Sequence, residues 1–68
     1  MYLMHIKLKN RTEIVKFYSL WSATIMAKEY ATCIDVMGIE IVDNTTGELL
    51  LAMGGDGSYS YMSDEYKF

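Results

Sequence analysis

The chain has 68 residues, about half of them apolar, and a formal net charge of −3 at pH 7. This length allows one small domain, and a single cysteine with a single histidine excludes both an internal disulfide and a zinc site built from several such ligands. We therefore expect no cofactor. Stability should come from packing or self-association, and the six Met and six Tyr residues favour a homodimer.

The N-terminal segment alternates between apolar and polar side chains and has no long apolar stretch. It therefore predicts neither a signal peptide nor a membrane span. Together with the free thiol, this pattern favours a cytoplasmic location.

Residues 1–18 predict two paired strands. In the first strand, the alternation places four apolar side chains on one face: Tyr2, Met4, Ile6 and Leu8. Residues 9–12 are typical of a turn, and residues 13–18 are dense in β-branched and aromatic side chains. The alternative for this second segment is a helix capped by Thr12 that runs on through Trp21.

Ser19 is the predicted N-cap of a helix. Its apolar positions recur at helical spacing: Leu20, Ala23, Ala27, Tyr30, Ala31 and Ile34. We expect the helix to end between Ala31 and Met37, with Gly38 as the following left-handed residue. Cys33 would lie near the helix C-terminus, which does not activate a thiol, and is interpreted as a small buried side chain.

The clearest local signal is a hairpin turn at Asp43–Glu48. Asp and Asn side chains form hydrogen bonds to the backbone of a turn, and Gly47 tolerates a positive φ. The following run, residues 49–53, loses alternation, which indicates burial on both faces or a dimer contact. Gly54–Ser58 predicts a second turn, and residues 58–62 predict a last strand.

These elements predict an α+β fold, a small two-layer β-β-α-β-β arrangement with a possible fifth strand, in which a mostly antiparallel sheet packs on one helix. Residues 1–62 would form the single domain, and residues 63–68 a loose C-terminal tail.

No arrangement of residues predicts catalysis. His5 lies on the polar face of the first strand with no second histidine, and the glycine-rich turn lacks the Gly-Lys-Ser/Thr ending of a phosphate-binding loop. The carboxylates of the hairpin would need a cleft to tune their pKa values, and a domain of this size offers little cleft. We therefore expect a non-enzymatic protein.

The charge is unevenly distributed. Residues 1–32 hold five Lys or Arg and two Glu, whereas residues 33–68 hold one Lys and seven Asp or Glu. The acidic, tyrosine-rich C-terminal half therefore predicts a protein-binding surface for a basic partner, with these candidate residues: Tyr59, Tyr61, Asp64, Glu65, Tyr66 and Phe68. The competing interpretation is that Tyr59 and Tyr61 face the core.

The N-terminal hairpin carries four cations near Phe17 and Tyr18: Lys7, Lys9, Arg11 and Lys16. They make a weak single-stranded nucleic-acid binder the alternative function, because a basic sheet with aromatic side chains suits single strands. A solvated strand edge protected by lysines explains the same residues. A structural or assembly subunit is the third possibility.

A helix containing Ala27-Lys-Glu-Tyr30, followed by Ile39-Glu-Ile-Val-Asp-Asn-Thr-Thr-Gly-Glu-Leu-Leu50, resembles a pattern in small proteins of phages and mobile elements. The resemblance covers roughly residues 19–51. It implies a β-rich fold with a single helix and no established activity, so no functional residue is carried over. Phage accessory proteins of this size often bind and block a host protein, including defence nucleases, which would make the chain such an inhibitor.

Overall fold

A computed structural model describes residues 1–64 of the chain. Its elements in order are β1 (Tyr2–Leu8), β2 (Thr12–Phe17), α1 (Leu20–Tyr30), β3 (Val36–Asp43), β4 (Leu49–Gly54) and β5 (Tyr59–Met62). The five strands form one antiparallel sheet in the order β2-β1-β3-β4-β5, with α1 packed on one face. The predicted α+β fold is confirmed. Residues 13–17 lie in strand β2 and Tyr18 follows it, so the helix alternative for this segment is wrong.

The core lies between the sheet and α1. Met4 and Ile6 of β1 are completely buried, and their cross-strand partners in β3 are the buried Ile41 and Ile39. In β4 the buried cluster continues at Leu51 and Met53. The predicted alternation of β1 is therefore correct, since same-face neighbours on adjacent strands build one apolar layer.

The helix packs closely because its buried stripe is made of alanines. Ala23, Ala27 and Ala31 recur every fourth residue and are buried against the sheet. Small side chains let the helix axis approach the sheet, and the larger residues beside the stripe pack partly buried against the core: Leu20, Met26 and Tyr30. Apolar residues on the opposite side of the helix face solvent. Trp21 and Ile25 are the two exposed examples.

The local sequence determines where the helix begins and where it ends. Ser19 is the N-cap as predicted, and its Oγ accepts a hydrogen bond from the Ser22 N–H at 3.4 Å. The helix ends at Tyr30 with Ala31 as C-cap, one residue before the expected interval, because the weak helix formers that follow turn the chain towards β3. Gly38 lies inside β3, so the prediction of a left-handed cap there is wrong.

Two side chains in the loop between α1 and β3 contradict the sequence prediction. Cys33 is exposed, not a buried hydrophobe, and Ile34 is 98% exposed although it continues the helical spacing. The reason is the early end of the helix: once the 3.6-residue period stops at Ala31, the position of residue 34 relative to the core is no longer set by that period.

The hairpin between β3 and β4 has the predicted turn. Gly47 has a φ of 76°, and its N–H donates to the Asp43 carbonyl at 2.8 Å. The Asp43 side chain accepts from the Thr45 N–H at 2.8 Å. These hydrogen bonds explain why the turn contains polar residues, since their side chains stabilise its backbone.

The turn between β4 and β5 is built around Asp56. Its Oδ1 accepts one bond from the Ser58 hydroxyl at 2.6 Å and another from the Ser58 N–H at 3.0 Å. The Gly54 N–H donates to the Ser58 carbonyl at 2.9 Å, and Gly57 takes a φ of 84°. The second turn predicted from the glycine-rich run is therefore confirmed.

The two Ser58 bonds hold the pKa of the Asp56 carboxyl below its usual range, because both stabilise the ionised form. The contribution of these bonds to folding is thus present at neutral pH and is lost as the pH falls through the lowered pKa of the folded state. We expect Ser58→Ala to raise the Asp56 pKa towards the usual value, as measured by carboxyl NMR titration. An unchanged pKa in this variant would contradict the assignment.

The sheet continues one residue beyond β5. The N–H of the buried Ser63 donates to the Leu50 carbonyl at 2.9 Å. Leu50 and Leu51 are both completely buried, in agreement with the loss of alternation in β4. Most of the predicted loose tail, residues 65–68, lies outside the described residues.

Candidate interaction surfaces

Three exposed apolar side chains follow one another at the start of α1. Tyr18, just before the N-cap, is 84% exposed, Trp21 is 68% exposed, and Ile25 is also exposed one turn later. We call these three residues the helix patch. Trp21 and Ile25 are four residues apart and therefore neighbours on the helix surface. Large aromatic side chains this exposed and this close together are typical of a surface that another molecule covers.

The predicted acidic, tyrosine-rich surface is only partly described. Tyr59, Tyr61 and Asp64 are exposed, so neither tyrosine is a core residue. Their cross-strand partners are Met53 for Tyr59 and Ala52 for Tyr61, which lie on opposite faces of β4. A flat partner surface would thus contact one tyrosine only. Glu65, Tyr66 and Phe68 lie outside the described residues.

The four predicted nucleic-acid-binding cations do not form one free basic patch. The Lys7 Nζ lies 3.0 Å from a Glu40 carboxylate oxygen, and Arg11 donates two bonds to Glu13 at 2.9 and 3.1 Å. Lys7 and Lys16 share a sheet face, whereas Lys9 and Arg11 line a cleft beside the loop after β1. Carboxylate partners on two of four cations reduce the counterion release that drives phosphate binding.

The sheet face opposite the helix, here called the outer face, carries a row of side chains that crosses all five strands. Successive cross-strand pairs give the row Ile14, His5, Glu40, Ala52 and Tyr61. A second row holds Lys16, Leu3, Val42 and Leu49. The two ends of the first row, on the edge strands, are exposed, and Ile14 is 59% exposed. Within residues 1–64 the single helix packs on the other face.

A cleft of about 400 Å³ lies where the end of α1 approaches the loop after β1. Its lining includes the exposed Cys33, Tyr30, Lys9 and Arg11, but not His5. The carbonyl end of α1 faces this region, and its partial negative charge opposes the binding of an anionic ligand.

The helix patch was not predicted from the sequence, although a signal was present. The predicted apolar positions of the helix already leave out Trp21 and Ile25, which lie on its opposite side. The distinguishing signal is the alanine stripe at 23, 27 and 31. A helix that presents only small residues on one line packs closest along that line, which leaves Trp21 outside it.

Within residues 1–64, no group of three or more His, Cys, Asp or Glu side chains is close enough to hold a metal ion. Over the same residues, no helix has both the length and the apolar character needed to cross a membrane. Comparisons with known protein families, curated proteins and solved structures gave no match to this chain.

Proposed function

We propose that this protein is a binding module that inserts its helix patch into an apolar groove of another protein. The observation that carries the proposal is the exposure of Trp21 and Ile25 at the start of α1, with the exposed Tyr18 just before the N-cap. Tryptophan and tyrosine dominate the energetics of protein interfaces because they bury a large area at little cost in side-chain entropy.

The spacing of the patch fits recognition of a helix in a groove. Trp21 and Ile25 stand at positions i and i+4 of α1, the spacing of neighbouring anchors on a helix that enters a hydrophobic groove, and Tyr18 precedes the N-cap. The exposed Lys28 follows on the same flank, so a carboxylate at the end of the groove would complement the module. When this protein is bound, its helix patch occupies the groove of the partner. Occupation of that groove would also inhibit the partner.

Replacing Trp21 with alanine should abolish partner binding and leave the fold intact. The side chain is mostly exposed, so its removal should change the free energy of unfolding by no more than about 1 kcal/mol. As the anchor of an interface, the same side chain should contribute about 2 kcal/mol or more to binding. The experiment compares proteins captured from a lysate of the source organism by the natural chain and by Trp21→Ala.

The matched control is Ile34→Ala, because Ile34 is even more exposed but lies outside the helix patch. A protein captured by the natural chain and the control, but not by Trp21→Ala, is then purified and titrated. The fluorescence of Trp21, the single tryptophan, should shift to shorter wavelength as the ring leaves water. Equal capture by Trp21→Ala would refute the proposal.

A further inference from the structure

The two edges of the sheet differ in how regular they are. The edge strand β5 has four residues, and a register shift in its pairing with β4 leaves Ser60 without a cross-strand partner. A short, bulged edge is a poor template for a further strand. The opposite edge strand, β2, has six residues and pairs with β1 without a register shift. By its regularity alone, β2 is therefore the edge open to strand addition.

The backbone of β2 offers the hydrogen-bonding groups of three residues to such a strand. The Leu8 N–H donates to the Arg11 carbonyl at 2.7 Å, which makes these two residues a hydrogen-bonded pair. Since hydrogen-bonded and non-hydrogen-bonded pairs alternate along an antiparallel ladder, Glu13, Val15 and Phe17 also direct their backbone groups towards β1. The backbone groups of the alternate residues therefore point away from the sheet: Thr12, Ile14 and Lys16. Within residues 1–64, no strand lies on that side of β2.

Glu13 carries a charge on the face of β2 that otherwise packs on the core. Its cross-strand partner is the buried Ile6, and the other side chains on this face, Val15 and Phe17, pack against the core cluster. The Glu13 carboxylate accepts two hydrogen bonds from Arg11, at 2.9 and 3.1 Å, and 46% of the Glu13 side chain is exposed. The carboxylate therefore keeps its contact with water only while no further strand covers this edge.

We propose that the charge of Glu13 closes the β2 edge against pairing with β2 of a second copy. Such a pairing is antiparallel about a two-fold axis normal to the sheet, so cross-strand partners lie on the same face. In each register that gives Glu13 a partner within β2, this partner is Glu13, Val15 or Phe17 of the second copy. The carboxylate would then lose water to lie against an apolar side chain or a like charge, which opposes the pairing.

The register centred on Ile14 identifies Glu13 as the obstacle. This register joins the exposed Ile14 side chains of the two copies, and the outward-pointing backbone groups of both strands meet in hydrogen-bonded pairs. It also places Lys16 opposite Thr12, where the long lysine stem lets the ammonium reach water. The unfavourable contact is that of Glu13 with Val15, which occurs twice. Removal of one carboxylate should therefore open the edge.

Glu13→Val tests the proposal by sedimentation across a concentration series. Loss of an exposed ion pair costs little stability, so the variant should fold, which circular dichroism checks. It should self-associate roughly tenfold or more tightly than the natural chain. Glu13→Lys breaks the same ion pair but keeps a charge at the edge, and it should sediment like the natural chain. Glu48→Val, which removes a carboxylate from the turn between β3 and β4, controls for the change in net charge.

Hydrogen exchange locates the association. In Glu13→Val, the amide hydrogens of Thr12, Ile14 and Lys16 should become protected as the concentration rises, because these N–H groups would bond the second strand. An unchanged mass of Glu13→Val at every concentration would overturn the proposal, as would equal association of Glu13→Lys or new protection confined to other residues. Groove binding by the helix patch is tested separately by Trp21→Ala.

Discussion

Replacing Gly55 with alanine should remove most of the stability of the fold. A Cβ at this position would lie 2.5 Å from the Val36 carbonyl oxygen and 3.3 Å from that of Met37. Both are main-chain atoms at the start of β3, so no side-chain rotation relieves the clash. Forcing them apart should cost about 2–4 kcal/mol, comparable to the about 3–5 kcal/mol available to a domain of this size. Urea unfolding followed by circular dichroism measures the loss.

The matched control for Gly55→Ala is Gly47→Ala. No atom lies within 4 Å of a Cβ at Gly47, but the residue has a φ of 76°. Its replacement should cost about 1 kcal/mol, the ordinary penalty for a left-handed non-glycine residue. The two variants therefore distinguish the free-energy cost of a steric clash from the cost of an unfavourable backbone conformation. Equal losses for the two variants would show that close approach at Gly55 is not what requires glycine there.

The contrast between these glycines also shows what the sequence could predict. Gly47 lies in a turn whose chemistry is local, and its conformation follows from the Asp-Asn-Thr-Thr-Gly run alone. The need for glycine at residue 55 comes from the backbone of residues 36 and 37, which are distant in sequence. Alternation in β1 likewise identified its buried face, because a strand has only two faces.

The helical period predicted the buried side of α1 correctly, since Ala23, Ala27 and Ala31 are buried and Leu20 and Tyr30 pack against the core. The period could not predict where the helix ends. The early end at Tyr30 then removed Cys33 and Ile34 from the core. Of the predicted partner-binding residues, Tyr59 and Tyr61 are exposed but lie on opposite faces, because a bulge in the β4–β5 pairing changes which residues face each other.

Truncation of Ile41 to alanine should be the most damaging change within the core. Ile41 is completely buried at the centre of the sheet, between its cross-strand partners Met4 and Leu51. Losing three buried carbons and leaving a cavity should cost about 2–5 kcal/mol, so the variant should retain little of the stability available to a domain of this size. The same truncation at Ile34, which is almost fully exposed, should change stability by about 0.5 kcal/mol or less. Thermal unfolding of both variants at one concentration measures the difference. If Ile41→Ala unfolded like Ile34→Ala, the buried layer between α1 and the sheet would not be the source of stability.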